Sequence, residues 1–113
     1  MNTKDMLPLT EAFYYILVSL YASSSHGYGM MQDVERMSEG RVKIGAGTLY
    51  TALNNLMKKG LIIPSNEVET DSRRKTYSIT PLGKQVVMAE MERMEELLCN
   101  GRKITQFREE ECT

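Results

Sequence analysis

From Leu9 to Ser23 the chain reads LTEAFYYILVSLYAS, with apolar side chains at almost every angle around a helical axis. The pattern predicts a helix here, with Thr10 as N-cap. A helix that is apolar all round has to be buried on more than one side. In a chain of 113 residues the second side is expected to be a partner subunit, met by Phe13, Tyr14 and Leu17. SSSHGYG then breaks the pattern. Met30, Met31, Val34 and Met37 recur at helical spacing and predict a second helix over Tyr28 to Met37. SEGRVKIG is a turn, with Gly40 as its helix stop. Leu49, Leu53, Leu56 and Met57 then form the core stripe of a third helix, from about Ala46 to Lys59, which Gly60 ends.

LIIP reads as a strand stopped by Pro64. SNEVETDSRR is a charged loop, and KTYSIT alternates as a second, antiparallel strand. Thr80 and Pro81 suit the N-cap and first position of a fourth helix. That helix is predicted to run to about Cys99, with Asn100-Gly101 ending it. Val87, Met91, Met94 and Leu98 fall close to a heptad seam, and the tail from Arg102 to Thr113 is charged. The predicted fold class is mainly α with a small β-hairpin. Residues 1–80 form a winged helix-turn-helix, and residues 81–113 form a C-terminal dimerisation helix and charged tail.

Composition narrows the function. The chain is 42% hydrophobic, as one compact domain requires. No apolar run approaches the ~20 residues that span a bilayer, and Met1 to Pro8 lacks the apolar core of a signal peptide. A cytoplasmic protein without a membrane partner is expected. Cys99 and Cys112 cannot supply the roughly four ligands of a zinc site. They read as two reduced thiols, and no metal or cofactor is expected.

Net charge is −1, which does not point to a nucleic acid; its distribution does. Residues 41–83 hold seven cations against three acids, whereas the segments before and after them are net −3 and −2. Association with a polyanion follows a local patch rather than the total.

With its stripe inward, the third helix turns Thr48, Thr51, Asn54, Asn55 and Lys58 outward, with Lys43 just before it. Solvated helix faces usually carry Glu, and residues 44–66 contain none. Asn can pair with adenine, Thr can touch a thymine methyl, and Lys suits guanine or phosphate. Gly45 and Gly47 remove side chains where the helix start would approach a backbone. A nucleotide pocket is the competing reading of those glycines. The dinucleotide fingerprint needs a third glycine, and Tyr50 stands in its place; the βαβ unit it requires is also missing. In the hairpin loop, Arg73, Arg74 and Lys75 suit phosphate contact or a narrow minor groove.

HGYGMMQDVERMSEG, GAGTLYTALNNLMKKGLI and DSRRKTYSITPLGK together resemble the PadR family of bacterial winged-helix transcriptional regulators, over roughly residues 9 to 88. The resemblance implies a homodimeric repressor on an inverted-repeat DNA operator, dimerised through the first and last helices. It carries DNA contact onto Thr48, Tyr50, Arg73, Arg74 and Lys75, although Tyr50 projects to the edge of the buried stripe and could pack instead. His26 and Tyr28 match the family motif. From the residues alone they shape the start of the second helix, with Tyr28 on the DNA side. Some small members of the family bind flat apolar drugs against a tryptophan between paired C-terminal helices. This chain has no Trp. Met88, Met91 and Met94 would line such an effector pocket, or would be core and dimer seam.

The residues also bear on two other classes. For an enzyme, the single histidine, His26, has no nucleophile or carboxylate partner nearby in sequence, and Glu90, Glu92, Glu95 and Glu96 read as a solvated helix face. For a winged helix used only in protein contact, the low net charge is the argument, and salt dependence of duplex binding separates it from a DNA-binding module.

Overall fold

The computed structural model describes residues 3–65 and 75–106. After a 3-10 turn at Thr3–Met6, the elements are α1 (Glu11–Ala22), β1 (Ser25–His26), α2 (Gly27–Met37), α3 (Ala46–Lys58), β2 (Ile62–Pro64), β3 (Thr76–Ile79) and α4 (Pro81–Thr105). The fold class is as expected: mostly helix with a small antiparallel sheet. The sheet has three strands, in the order β1-β3-β2, rather than the two of a plain hairpin. Ser25 pairs with Tyr77 and His26 with Thr76, so part of the SSSHGYG break is a short edge strand.

Local chemistry explains the helix ends. The Thr10 hydroxyl accepts from the Phe13 amide at 3.0 Å. Thr80 accepts from the Gly83 amide at 3.0 Å and donates to the Gly60 carbonyl at 2.7 Å, which ties the start of α4 to the end of α3. At that end Gly60 has φ +77, the Gly60 amide donates to Met57 O, and the Leu61 amide donates to Leu56 O, each at 3.0 Å. This is the Schellman closure, which favours glycine in the left-handed position. In α2 the same closure falls one residue earlier than expected. Glu39, with φ 53, holds the left-handed position and Gly40 follows it.

The core gathers Ile16, Leu17 and Leu20 of α1, Met30 and Val34 of α2, Leu49, Ala52, Leu53 and Leu56 of α3, and Val86 and Val87 of α4. Met57, expected in the stripe of α3, is only partly buried, and Ala52 completes that stripe. Tyr77 of β3 and Ile62 of β2 close the core from the sheet.

α4 is 25 residues long and passes through Asn100-Gly101 instead of stopping there. Glycine inside a helix costs only about 1 kcal/mol relative to alanine, and among the described residues no left-handed one follows to turn the chain. The N-terminal half of α4 packs on the body through Gly83, Val86, Val87 and Glu90. A Cβ on Gly83 would stand 2.2 Å from Leu61 O, so α4 meets the chain entering β2 at backbone distance. Beyond Glu90 every side chain of α4 is exposed or half-buried, and the molecule is 56 Å long in consequence.

Candidate nucleic-acid interface

The exposed face of α3 holds Thr48, Thr51, Asn54, Asn55 and Lys58, all open to solvent. Opposite them Leu49, Leu53 and Leu56 are fully buried. The wheel read from the sequence is therefore the face that the structure presents.

The start of α3 differs from the other three helix starts. Thr10, His26 and Thr80 each cap with a side chain, whereas Gly45 makes no side-chain cap bond. A Cβ built on Gly45 or Gly47 would meet nothing within 4 Å. Neither position requires glycine for internal packing, so the room in front of α3 is open.

Gly27 is the opposite case. A Cβ there would lie 2.9 Å from the Tyr50 hydroxyl and 3.1 Å from Leu49 Cδ2. The first residue of α2 thus sits directly against α3. Tyr50 packs by its hydroxyl end against that residue and still leaves 44% of its surface exposed. The two readings of Tyr50 are compatible in space. Tyr28, in the first turn of α2, is 64% exposed. Behind Tyr50, burial and, secondarily, the Tyr50 hydroxyl push the Tyr77 phenol up. The imidazole of His26 is the cap of α2: its Nδ1 accepts from the Gly29 amide at 3.1 Å. That bond and the β1–β3 pairing make His26 local structure, as read from the sequence.

Of the cations expected at this face, Lys43 is exposed and lies 3.7 Å from Glu35, and Lys75 is exposed at the start of β3. Arg73 and Arg74 lie outside the described residues. Between the start of α1 and the outer face of α3 runs an open cleft of about 630 Å³. Thr10 and Phe13 form one wall, and Gly47, Thr48, Thr51 and Asn55 form the other. Arg41, in the turn before α3, reaches back to pair with Glu11 at the first residue of α1.

The residues expected at a dimer interface divide. Leu17 and Val87 are 0% and 2% exposed. They are spent in the chain's own core, because α1 and α4 pack on each other. Phe13 and Tyr14 are half-buried against that core. Met91, Met94 and Leu98 are exposed on α4, as is Met88. The sequence reading missed Leu97 and Ile104, which are also exposed. About three helical turns on, Met94, Leu97, Leu98 and Gly101 repeat the positions of Gly83, Val86, Val87 and Glu90. The core-facing stripe of α4 simply continues past the end of the body.

Two expectations are corrected. Glu90 is not solvated but 2% exposed. Its Oε1 accepts from Arg93 Nε at 2.5 Å and its Oε2 from the Leu9 amide at 2.9 Å. The Arg93 hydrogen bond, helped by the Leu9 amide against the opposing effect of burial, holds the Glu90 carboxyl below the ordinary value. Cys99 is disulfide-bonded rather than a reduced thiol; Cys112 lies outside the described residues. Among the described residues no group of acidic, histidine or cysteine side chains could hold a metal ion, and no helix is long and apolar enough to cross a membrane.

A model of the transcriptional regulator PadR-like family matches residues 16–89. The chain belongs to that family. The solved structures it resembles carry the same winged helix. A transcriptional regulator from Clostridium thermocellum is 29% identical, with a TM-score of 0.70 over 83% of this chain and 92% of that one. RosR of H. salinarum is 27% identical, with a TM-score of 0.69 over 81% of this chain and 79% of that one. Among curated relatives, the transcriptional regulator Rv3488 of Mycobacterium tuberculosis is 29% identical over 72 residues, 64% of each chain. An uncharacterized 37.1 kDa protein in transposon TN4556 of Streptomyces fradiae is 31% identical over 87 residues, 77% of this chain and 24% of that protein. The chain thus spans less than two thirds of both curated relatives. The PadR model ends at residue 89, where α4 leaves the body.

Proposed function

We propose that this PadR-like protein is a sequence-specific DNA-binding repressor that acts as a homodimer on an inverted-repeat operator. The observation that carries the reading is the exposed face of α3. It offers Thr48, Thr51, Asn54, Asn55 and Lys58 without one acidic side chain, behind a helix start where Gly45 and Gly47 leave open space. Base edges would be read by Asn54, Asn55 and the threonines, while Lys43, Lys58, Lys75, Arg73 and Arg74 would meet phosphates, with Tyr28 and Tyr50 at the rim. Residues 1–80 would bind DNA and residues 81–113 would dimerise. The exposed apolar continuation of the α4 stripe supports the second role. Two copies joined there would set two α3 helices about one turn of DNA apart. Met88, Met91 and Met94, near that seam, would admit a small hydrophobic effector that releases the operator.

The test is duplex binding by the full chain across a genomic fragment pool, measured as a function of salt. The expected result is one enriched pseudo-palindromic site and a steep negative dependence of log K on log salt. No binding at low salt would refute the reading and favour a winged helix used for protein contact. Sedimentation over a range of concentrations tests the dimer, and a concentration-independent monomer would refute it.

A further inference from the structure

Resting on the DNA-binding reading, we propose that Arg41 is a further phosphate contact, and that Glu11 holds its guanidinium beside the reading face until a DNA phosphate replaces the carboxylate. Arg41 belongs to the turn that connects α2 to α3, yet its side chain reaches a residue 30 positions away, Glu11 of α1. Glu11 first, and then Tyr15 one helical turn further along α1, push the Arg41 guanidinium's pKa up. α1 and α3 are the two walls of the cleft that contains Thr48, Thr51 and Asn55. If α3 lies in a major groove about 12 Å wide, a sugar-phosphate strand has to run along each of its flanks. The flank on the α1 side is this cleft.

Among the described residues, the side chains lining the cleft are uncharged. Glu11 lies in sequence between Thr10 and Ala12 of the α1 wall, and its side chain and that of Arg41 are 51% and 63% exposed. A guanidinium presents the same planar fork to a carboxylate and to a phosphate. An ion pair this exposed is weak, so exchange of one oxyanion for the other is easily reversed. Glu11 remains at the first position of α1, where the helix dipole favours a negative charge, and it can turn to water once the phosphate is seated. The free protein then keeps this cation oriented but neutralised. That arrangement lowers loose association with any polyanion, and it frees the charge only when α3 is fully docked.

The experiment uses the full chain and a duplex that the wild type binds, with affinity measured from low to moderate salt. Arg41→Ala is expected to weaken binding several-fold on all sequences and to make the salt slope shallower by about 0.9 per protomer. Arg41→Lys keeps the charge and is expected to keep the slope while losing part of the affinity. Glu11→Gln is expected to tighten binding several-fold at unchanged slope, and this gain should vanish in the Glu11→Gln/Arg41→Ala double variant. An unchanged slope in Arg41→Ala overturns the proposal. So does a gain from Glu11→Gln that survives intact without Arg41, since Glu11 would then act by plain repulsion. If the wild type binds no duplex, the DNA reading falls and this proposal with it; wild-type binding with an unmoved slope in Arg41→Ala overturns this proposal alone. Both side chains are exposed, so unchanged melting temperatures check that the variants fold.

Discussion

The main-chain amide of Leu9 donates to Oε2 of Glu90 at 2.9 Å, joining the segment ahead of α1 to the point where α4 leaves the body. Arg93 supplies the remaining donors to the same carboxylate, its Nη2 reaching Oε2 at 3.1 Å. A buried carboxylate is tolerable only when its oxygens are bonded in this way. Glu90 therefore helps to set how α4 is held on the body, and with it the direction of the projecting stripe.

Glu90→Ala leaves the half-buried Leu9 amide without its acceptor. The expected loss is about 2 kcal/mol of stability, a fall in melting temperature of roughly 10 °C. Thermal unfolding at fixed protein concentration checks it. A change of under 2 °C would mean that water replaces the carboxylate.

The same residue gives the fold an acid limb. Its carboxyl titrates lower in the folded chain than in the unfolded one, so the folded state takes up protons less readily. The contribution is full at pH values above the unfolded value of about 4.3. It is lost as pH falls from there through the lower folded value. Urea unfolding between pH 7 and pH 3 should show stability declining in that window, and Glu90→Gln should flatten the decline.

Two glycines in equivalent helical surroundings should behave oppositely. Gly83→Ala would force a Cβ to within 2.2 Å of Leu61 O and 2.7 Å of Ile79 Cγ1, and backbone cannot give way cheaply. A loss of about 3 kcal/mol is expected, read by chemical denaturation. Gly47→Ala meets no neighbour and should be neutral or stabilising by up to about 1 kcal/mol. If α3 docks closely on DNA, that same variant should bind the operator less tightly. Unchanged operator affinity would show that the space in front of Gly47 stays empty in the complex.

Asn55, exposed on α3, is proposed to read a base edge. Asn55→Ala should relax preference at one base position by ~1–3 kcal/mol, scored on a set of single-substituted operators. An equal loss on every sequence would assign it to phosphate contact instead.

Much of this protein was legible because it is local. The caps at Thr10 and Thr80, the glycine stop at Gly60, and the stripe of Leu49, Leu53 and Leu56 depend on neighbours within about two helical turns. The outer face of α3 follows from the same periodicity. The edge strand at Ser25–His26 was not legible, since a two-residue strand has no period and exists only because β3 lies beside it.

The sequence by itself determined the order of the four helices and the two hairpin strands, the caps at Thr10 and Thr80, and which α3 residues face away from the core, because all of these follow from spacing and short-range hydrogen bonds. Only the tertiary structure decided which apolar surface the chain buries on itself. Leu17 and Val87 go into the chain's own core, while Met94, Leu97 and Leu98, on the same kind of stripe, project beyond it. It also decided that one glutamate among several on α4 is buried, because Leu9 and Arg93 bring donors to Glu90 alone. Periodicity shows that a face is apolar; only packing shows what covers it.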